Sequence, residues 1–479
     1  MSESSHTVGK VVFDRLPPDA VAAFVADFGG TVVTPDHHVY DEARSIWNAM
    51  IDRYPALVAQ CTGAEDVVAA VAFAREHELE LAVRGGGHNV AGTAICDGGL
   101  VVDLTSLTDV VVDPAAKRVR VEGGATLGDV DRETTRHGLV TPLGVVSATG
   151  VAGLTLNGGL GHLRREYGLA CDGLESVEIV TADGTVRTAS ESENSDLFWA
   201  VRGGGGNFGV VTSFEFHLHP IDDVFGLFVW YQGRDAPMAF EAFHEFVRTA
   251  PREASVLPFV AHVPELAEFP ESAWGEPAVA FLGCYDGPEA IAEATFRSLR
   301  EVATPIADFS AQMAYTDLQT MLDEDYPDGL RYYWKSVYVP ELTAEVVEVV
   351  VRRGVRAPST LSTVDVWHLG GAITDVAPDA TAFWHRQQPF MVTVEANWED
   401  AAADGVNVAW ARATVEELRA IEGVGGSYGN FPGLLEDPAT TLFGENYDRL
   451  VAVKTKYDPE NVFQGNQNVR PGVGTPAAD

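Results

Sequence analysis

The residues best placed to do chemistry stand in a run almost without side chains. Residues 81–92 read LAVRGGGHNVAG: a short apolar stretch, three glycines, then His88. Glycine reaches backbone conformations closed to other residues and lets N–H groups approach a ligand closely. Consecutive N–H groups in such a loop make a concave anion site suited to a pyrophosphate. An imidazole at the end of the loop could act as nucleophile or hydrogen-bond partner to what the loop holds; a loop histidine with its bonds satisfied is the plainer alternative. Two more glycine loops follow, at 150–161 and 203–209. Three such loops in the first half of the chain predict a cofactor with a long body. Gly204, Gly206 and Gly209 satisfy GxGxxG, but VVTSFEF after them reads as a strand and no acid ends a following strand about twenty residues on, which argues against a nicotinamide dinucleotide.

A second group lies far downstream. In FMVTVEANW, Phe390–Trp398, strand alternation puts Thr393, Glu395 and Asn397 on one face and Val392 and Val394 on the other. A carboxylate flanked by valines is either an exposed strand face or a base tuned by its surroundings. The four cysteines, Cys61, Cys96, Cys171 and Cys284, show no CxxC or His/Cys ligand spacing, so no metal site or dithiol motif is expected and buried thiols are the natural reading.

The elements that must position these groups change along the chain. Residues 63–78 read as an amphipathic helix, followed by the strand LELAVR and the glycine loop. GGLVVDL is a further strand, VVVDPAAKRVRVEGG a hairpin about Asp113-Pro114, residues 126–137 a helix, and LESVEIVTADGTVRTA a hairpin turning at Asp183-Gly184. From 221 to 430 aromatic strands such as FGLFVWYQ alternate with longer helices, including 344–353 and 407–422. This texture predicts a first domain over 1–220, a second over 221–430 and a final segment, 431–479, ending in a loose tail.

Charge bounds the partners. The 479 residues carry 70 acids against 32 Lys and Arg, a net charge of -38, with lysine only at 10, 117, 335, 454 and 456. Such a surface repels nucleic acid and anionic membranes, and its self-repulsion points to a salt-rich setting. No apolar run approaches the about 18 residues of a membrane span, and MSESSHTVGK lacks the form of a secretory signal. A cytoplasmic protein is expected.

Four stretches, RGGGHNVAG, GVAGLTLNGGLGHLRREYGLACD, DLFWAVRGGGGNFGVVT and KYDPENVFQGNQNV, run in order from residue 84 to 469. Together they resemble the berberine-bridge-enzyme-like branch of the vanillyl-alcohol-oxidase/p-cresol-methylhydroxylase flavoproteins. The resemblance implies an α+β fold: a two-subdomain FAD-binding domain of the p-cresol-methylhydroxylase type, a substrate domain with an antiparallel sheet backed by helices, and a C-terminal segment that returns to the FAD domain. It implies FAD held by Arg84, Gly85, Gly86, Gly87, His88, Asn89, Thr149, Gly150, Gly153, Gly158, Gly161, Gly206, Asn207, Val210, Asn466 and Asn468, with the flavin bonded covalently to His88. Val146 stands where many members place a second linking cysteine, and Cys171 lies some way beyond, so a single bond is expected. Thr149 occupies the position that in relatives admits or excludes oxygen. The resemblance points the Glu395 face at the flavin and brings in Tyr428 and Asn430 from GSYGNFPG, while Phe431 and Gly433 depart from the family's tyrosine and acid. His162 and His368 read as structural. The function implied is hydride transfer from a C–OH or amine C–H of a small organic substrate to FAD, reoxidised by O2 or another acceptor, with Glu395 or Tyr428 as base. A non-redox flavoprotein, isomerase or binding protein, is the alternative.

Overall fold

The computed structural model describes residues 6–431 and 441–472. Three sheets carry it, with a two-stranded pair of Leu139–Val140 and His219–Pro220 beside them. The first is small and mostly parallel, in the order Thr31–Val33, Leu57–Gln60, Leu100–Asp103, Leu81–Arg84, with only the Thr31–Val33 edge antiparallel. Its strands are apolar on both faces, as parallel strands covered by helices must be: Leu57, Ala59, Leu100 and Val102 pack on Val67, Ala70, Val71 and Ala74 of the helix Ala64–Glu76. The parallel pairing of Leu81–Arg84 beside Leu100–Asp103 points the end of one strand, and hence the loop after it, towards the rest of the molecule.

The second sheet is antiparallel, in the order Val110–Asp113, Arg118–Glu122, Val210–His217, Leu174–Val180, Val186–Ser190. Both hairpins read from the sequence are present. In Arg118–Glu122 the valines are buried and Arg118 and Arg120 exposed, the alternation of a sheet with one wet face. The strand Val210–His217 directly follows the third glycine loop, so that loop does not open a helix.

The third sheet has eight antiparallel strands, running from Ala307–Asp308 through Val224–Gln232, Pro277–Asp286, Ala254–His262, Thr363–His368 and Phe390–Trp398 to Arg331–Val339, with Ala311–Met313 also paired to Val224–Gln232. Helices Ala236–Val247, Glu289–Arg300, Ala344–Gly354 and Asp404–Arg419 back one face, burying Phe243, Phe296, Val346, Val350 and Trp410 against Val229, Phe281, Val337, Val392 and Val394. The last of these helices starts and stops three residues before the expected 407–422, because the short turn Ala401–Ala403 runs straight into it. The other face of the sheet, with Trp230, Leu257, Phe259, Trp367 and Met391, packs on Val146, Leu160 and Leu169 from the first half of the chain.

The helix Tyr447–Tyr457 lies on the second sheet's core through Leu450, Val453 and Tyr457. Its Lys454, fully buried, donates to the carbonyls of Asn207 (2.7 Å) and Phe463 (2.8 Å) and to Asp458 Oδ2 (2.6 Å). Breaking one side of such a buried pair typically costs about 3–5 kcal/mol, so the C-terminal segment is firmly tied to the glycine-loop region. Gly433 and most of the tail beyond 471 lie outside the described residues.

Candidate active site

One cavity lies between the glycine loops and the open face of the eight-stranded sheet. On one side it is lined by Gly85, Gly86, Gly87, His88, Asn89, Thr149, Gly150, Gly153, Gly206 and Asn466. The first two loops cross in backbone contact. A Cβ on Gly86 would stand 2.5 Å from the Gly150 nitrogen, and one on Gly150 2.3 Å from the Gly86 nitrogen, so neither position admits a side chain. Gly153 differs: a Cβ there would meet nothing within 4 Å, because it faces the cavity itself. Asn466 Oδ1 is buried without a protein partner. A cradle of bare backbone edged by an unanswered amide is what a large polar cofactor requires.

Six residues expected at the cofactor do not line the cavity. Arg84 lies behind the first loop, paired with Asp103 and donating to the Ser45 carbonyl (3.1 Å). Asn207 ties the third loop to the C-terminal segment, donating to the carbonyls of Gly204 (2.8 Å) and Gln467 (3.2 Å) and accepting from Val469 N (2.9 Å). Gly158 and Gly161 admit close neighbours, Phe383 and the Leu143 carbonyl. Val210 is buried at the start of its strand. Asn468, like Asn466, buries an unpartnered Oδ1, but outside the lining. Motif membership and cavity contact are different properties: Arg84, Asn207, Gly158 and Gly161 frame the loops.

His88 lines the cavity half-buried, and loss of hydration there pushes its pKa down to about 4 against the opposing pull of Asp328 and Asp323. It is therefore a neutral imidazole at pH 7. Thr149 Oγ1 lies 3.5 Å from its Nδ1. Val146 lines the cavity and Cys171 does not; the Cys171 thiol is fully buried, and burial raises its pKa. His162 and His368 are also buried outside the lining.

On the opposite side the sheet supplies side chains. In Phe390–Trp398 the even positions Phe390, Val392, Val394, Ala396 and Trp398 join the core under the helices, which turns Thr393, Glu395 and Asn397 the other way. Register sets Glu395 beside Trp334, Asn397 beside Tyr332 and Thr393 beside Asp365. Glu395 is 3% and Asp365 4% exposed. This is not the solvent-facing strand that a carboxylate between valines more commonly marks. Glu395 Oε2 accepts from the Tyr326 hydroxyl (2.8 Å). Thr393 Oγ1 lies 3.2 Å from Glu395 Oε1 and 3.3 Å from Asp365 Oδ2, its one proton serving either. Asp365 Oδ1 has no partner. Burial raises both carboxyl pKa values, their mutual repulsion raises that of Glu395 further, and no cation acts on Asp365. Two touching buried carboxyls do not both ionise, and they titrate as a pair. Glu395 is therefore not an independent, freely ionised base at rest: it shares its protons with Asp365, and the pair carries at most one negative charge near neutral pH.

Tyr428, 1% exposed, holds a third arrangement. Its hydroxyl oxygen accepts from Gly159 N (3.1 Å), Leu160 N (3.1 Å) and Asn430 Nδ2 (2.9 Å). Asn157 fixes the Asn430 amide by donating to its Oδ1 (3.2 Å), while Asn430 Nδ2 also donates to the Leu154 carbonyl (3.1 Å). Burial raises the phenol's pKa and the three donors pull it back. The donors reduce this rise without reversing it, so the phenol stays above the ordinary tyrosine value.

Sequence reasoning missed Asp365, Trp47, Trp334, Trp367 and Tyr326, all of which line the cavity. Asp365 carried a usable signal, since TVDVWH alternates as FMVTVEANW does. Trp367 shares that alternation with Asp365; Trp47, Trp334 and Tyr326 carried none, because their role comes from sheet register and from a segment, 314–330, that crosses the cavity.

Comparison with known proteins decides what the cradle holds. Residues 55–190 match the FAD binding domain family, and residues 427–470 the berberine and berberine-like family. An FAD-linked oxidoreductase of Dictyostelium discoideum is 32% identical over 89% of this chain and 91% of its own length. The chain belongs to the berberine-bridge-enzyme-like FAD-linked oxidases. (R)-6-hydroxynicotine oxidase of Paenarthrobacter nicotinovorans is 32% identical over 92% of this chain and 97% of its own length. The crystal structure of 6-hydroxy-D-nicotine oxidase from Arthrobacter nicotinovorans superposes with a TM-score of 0.82 at 29% identity, covering 93% of this chain and 99% of that one. This berberine-bridge-enzyme-like chain is thus an FAD-dependent oxidoreductase acting on a small organic substrate, with the fold of the p-cresol-methylhydroxylase-type oxidases. No helix among the described residues is long and apolar enough to cross a membrane.

Proposed function

We propose that the protein oxidises a small amine with an apolar, ring-containing body, removing a hydride from the carbon next to nitrogen. The observation that carries this reading is the Asp365–Glu395 pair: buried, without a cation acting on Asp365, one oxygen unpartnered, and set among Trp334, Trp367, Tyr326 and Phe431 at the cavity. Aromatic faces and a buried negative charge together recognise a cationic nitrogen. The amine must be neutral to release a hydride, and the charged carboxyl of the pair is placed to take the proton from nitrogen. Bound FAD supplies the two-electron acceptor. Gly85–Gly87 and Gly150 would hold it through backbone N–H groups, and Asn466 through its free amide oxygen. The relationship to 6-hydroxynicotine oxidase supports an amine.

A second reading rests on Tyr428. If the substrate is an alcohol, Tyr428 takes the hydroxyl proton in its phenolate form, the form its three donors stabilise against burial. Under nitrogen, bleaching of the yellow flavin by cyclic aromatic amines, but not by sugars or alcohols, supports the first reading. Bleaching only by alcohols or sugars replaces it with the second.

His88 is the residue we assign to covalent FAD attachment. Its neutral imidazole has a nitrogen lone pair free at pH 7. His88 would hold the flavin through one ring nitrogen joined to the 8α-methyl carbon. The imidazole gives up its N–H and the methyl one C–H, and the two protons and two electrons reduce O2 to hydrogen peroxide. Acid-precipitated protein should stay yellow, with the flavin on the His88 peptide. We infer a cytoplasmic, salt-adapted setting from the net charge of -38, and O2 as the acceptor from the relatives named oxidases.

A further inference from the structure

His88 is held by a residue that none of the glycine motifs marks. Trp47 stacks on the imidazole with ring centroids 4.6 Å apart and planes 16° from parallel. The same indole stacks on Tyr332 at 3.7 Å and 10°, and meets Trp334 edge-on at 5.5 Å. Its Nε1 donates to the Tyr326 carbonyl (2.9 Å), and its own carbonyl accepts from Gly329 N (3.1 Å). The neighbouring Asn48 is fully buried. It donates to the carbonyls of Val90 (2.8 Å) and Tyr332 (2.9 Å) and accepts from Tyr332 N (3.0 Å). Asn48 therefore ties the chain just after His88 to the strand Arg331–Val339. Trp47 itself is 4% exposed. The indole also packs with Val90 and Tyr332 in a small apolar cluster, so it bridges the His88 loop and the strand Arg331–Val339.

We propose that Trp47 is the positioning residue for attachment of FAD to His88. This rests on the reading that His88 carries the flavin. Stacking fixes the plane of the imidazole, and with Thr149 Oγ1 near Nδ1 it leaves the ring one orientation towards the cavity. The indole also excludes water from the ring. The charged groups acting on His88, Asp328 and Asp323, favour its protonated form, and burial overcomes them. Removing the indole opens the ring to water and leaves those two carboxylates to act, so the imidazole protonates nearer the ordinary histidine value of about 6.5. Protonated imidazole has no lone pair for the new bond. The anchors of Trp47, at Tyr326, Gly329 and Tyr332, all come from the substrate-side region. Attachment accordingly requires that region to be seated on the flavin side.

The test uses the full-length protein as purified, with acid precipitation separating attached from free flavin. Wild-type flavin is expected entirely in the pellet. Trp47→Ala is expected to bind the same total FAD, with most of it released by acid. Incubated with FAD and O2, it should attach flavin slowly, at least about tenfold slower than Trp47→Phe, since small misplacements of reacting groups carry penalties of that order or larger. The Trp47→Ala attachment rate should fall as pH drops below about 6.5, and Trp47→Phe should restore attachment. Complete attachment in Trp47→Ala at every pH would overturn the proposal while leaving the His88 reading intact. Slow attachment that neither depends on pH nor recovers in Trp47→Phe would also overturn it, because a merely structural role predicts that pattern. If wild-type flavin is itself released by acid, the His88 reading fails and takes this one with it. Should Trp47→Ala not fold, Trp47→Leu, which fills volume without a ring face, takes its place: slow, pH-dependent attachment supports the proposal, and complete attachment at every pH overturns it.

Discussion

The flavin wall of the cavity presents backbone, and the substrate wall presents side chains. Gly86 and Gly150 touch main chain to main chain, and what they offer a ligand is a row of N–H groups. Across the cavity, Glu395, Asp365, Trp334 and Trp367 project from adjacent strands of one sheet. A backbone wall has nothing to mutate except the space its glycines leave, so it binds one fixed chemical body. A side-chain wall can be rewritten residue by residue without moving a strand. The cofactor should therefore be lost through steric change on one wall, and substrate choice should change through charge and shape on the other.

Breaking the flavin wall gives the largest expected effect. Gly150→Ala places a Cβ 2.3 Å from the Gly86 nitrogen, and the two loops must part. Overpacking of this kind typically costs about 1–3 kcal/mol, here concentrated on the cofactor cradle. Protein that folds should be colourless, and its melting temperature should no longer respond to added FAD. A yellow Gly150→Ala protein with wild-type spectra would show that the loop contact is not what shapes the cradle.

Asp365→Asn should leave the yellow colour untouched and slow anaerobic flavin reduction by about 10²–10⁴-fold, the range for a lost proton acceptor. Glu395→Gln should slow it too, since the two carboxyls take up the proton as a pair. The two should separate with pH. The charge on the pair is lost as pH falls, so wild-type affinity for a cationic substrate should weaken on the acid side, and Asp365→Asn should remove that limb. Stability should move the other way. A carboxyl whose folded pKa is raised above its unfolded value stabilises below the unfolded value, and that contribution is lost as pH rises through the folded one. Glu395→Gln should thus reduce the loss of melting temperature as pH rises above the ordinary glutamate value of about 4.3. An unchanged reduction rate in Asp365→Asn, with a large loss in Tyr428→Phe, would transfer the proton to the three-donor oxygen and favour an alcohol.

This contrast also explains which parts were legible beforehand. The backbone wall announces itself in sequence because only glycine serves there: RGGGHNVAG and the loops at 150–161 and 203–209 pointed to His88, Thr149 and Gly153 directly. Yet the same motifs named Arg84, Asn207 and Gly161, which brace the loops from behind. A residue type demanded by packing looks the same in a sequence as one demanded by a ligand. On the other wall, alternation placed Glu395 on the right face, but the charge state of Glu395 depends on Asp365, thirty residues away on a neighbouring strand. Strand register is a tertiary fact, and so is the stack of Trp47 on His88. No local pattern encodes either.

A smaller effect concerns the outer surface rather than either wall. With a net charge of -38, repulsion among exposed carboxylates should weaken as salt shortens the screening length from about 10 Å at 0.1 M to about 3 Å at 1 M. Melting temperature should climb with KCl across that range, by similar amounts in wild type, Asp365→Asn and Glu395→Gln, because buried groups are screened far less. A flat curve would mean that the surface acids are already compensated and would end the salt-adapted reading.

The smallest expected effect is none at all, and it sharpens the account of the flavin wall. Cys171 is the cysteine nearest in sequence to the place where relatives carry a second flavin bond, but its thiol is fully buried beside Asp172, its Sγ 3.8 Å from Oδ1, and outside the cavity lining. Burial, reinforced by the Asp172 charge, raises its pKa, so it supplies little thiolate, the form that would attack a flavin carbon. Val146, which does line the cavity, has no nucleophile to offer. Cys171→Ser should therefore leave the acid-stable flavin fraction, the absorbance spectrum and the reduction rate at wild-type values. Recovery of a flavin peptide joined to both His88 and Cys171 would sink this prediction. It would mean that the 143–149 loop and the Ala170–Asp172 turn rearrange once FAD is bound, and that the flavin wall is less rigid than its crossed glycines imply.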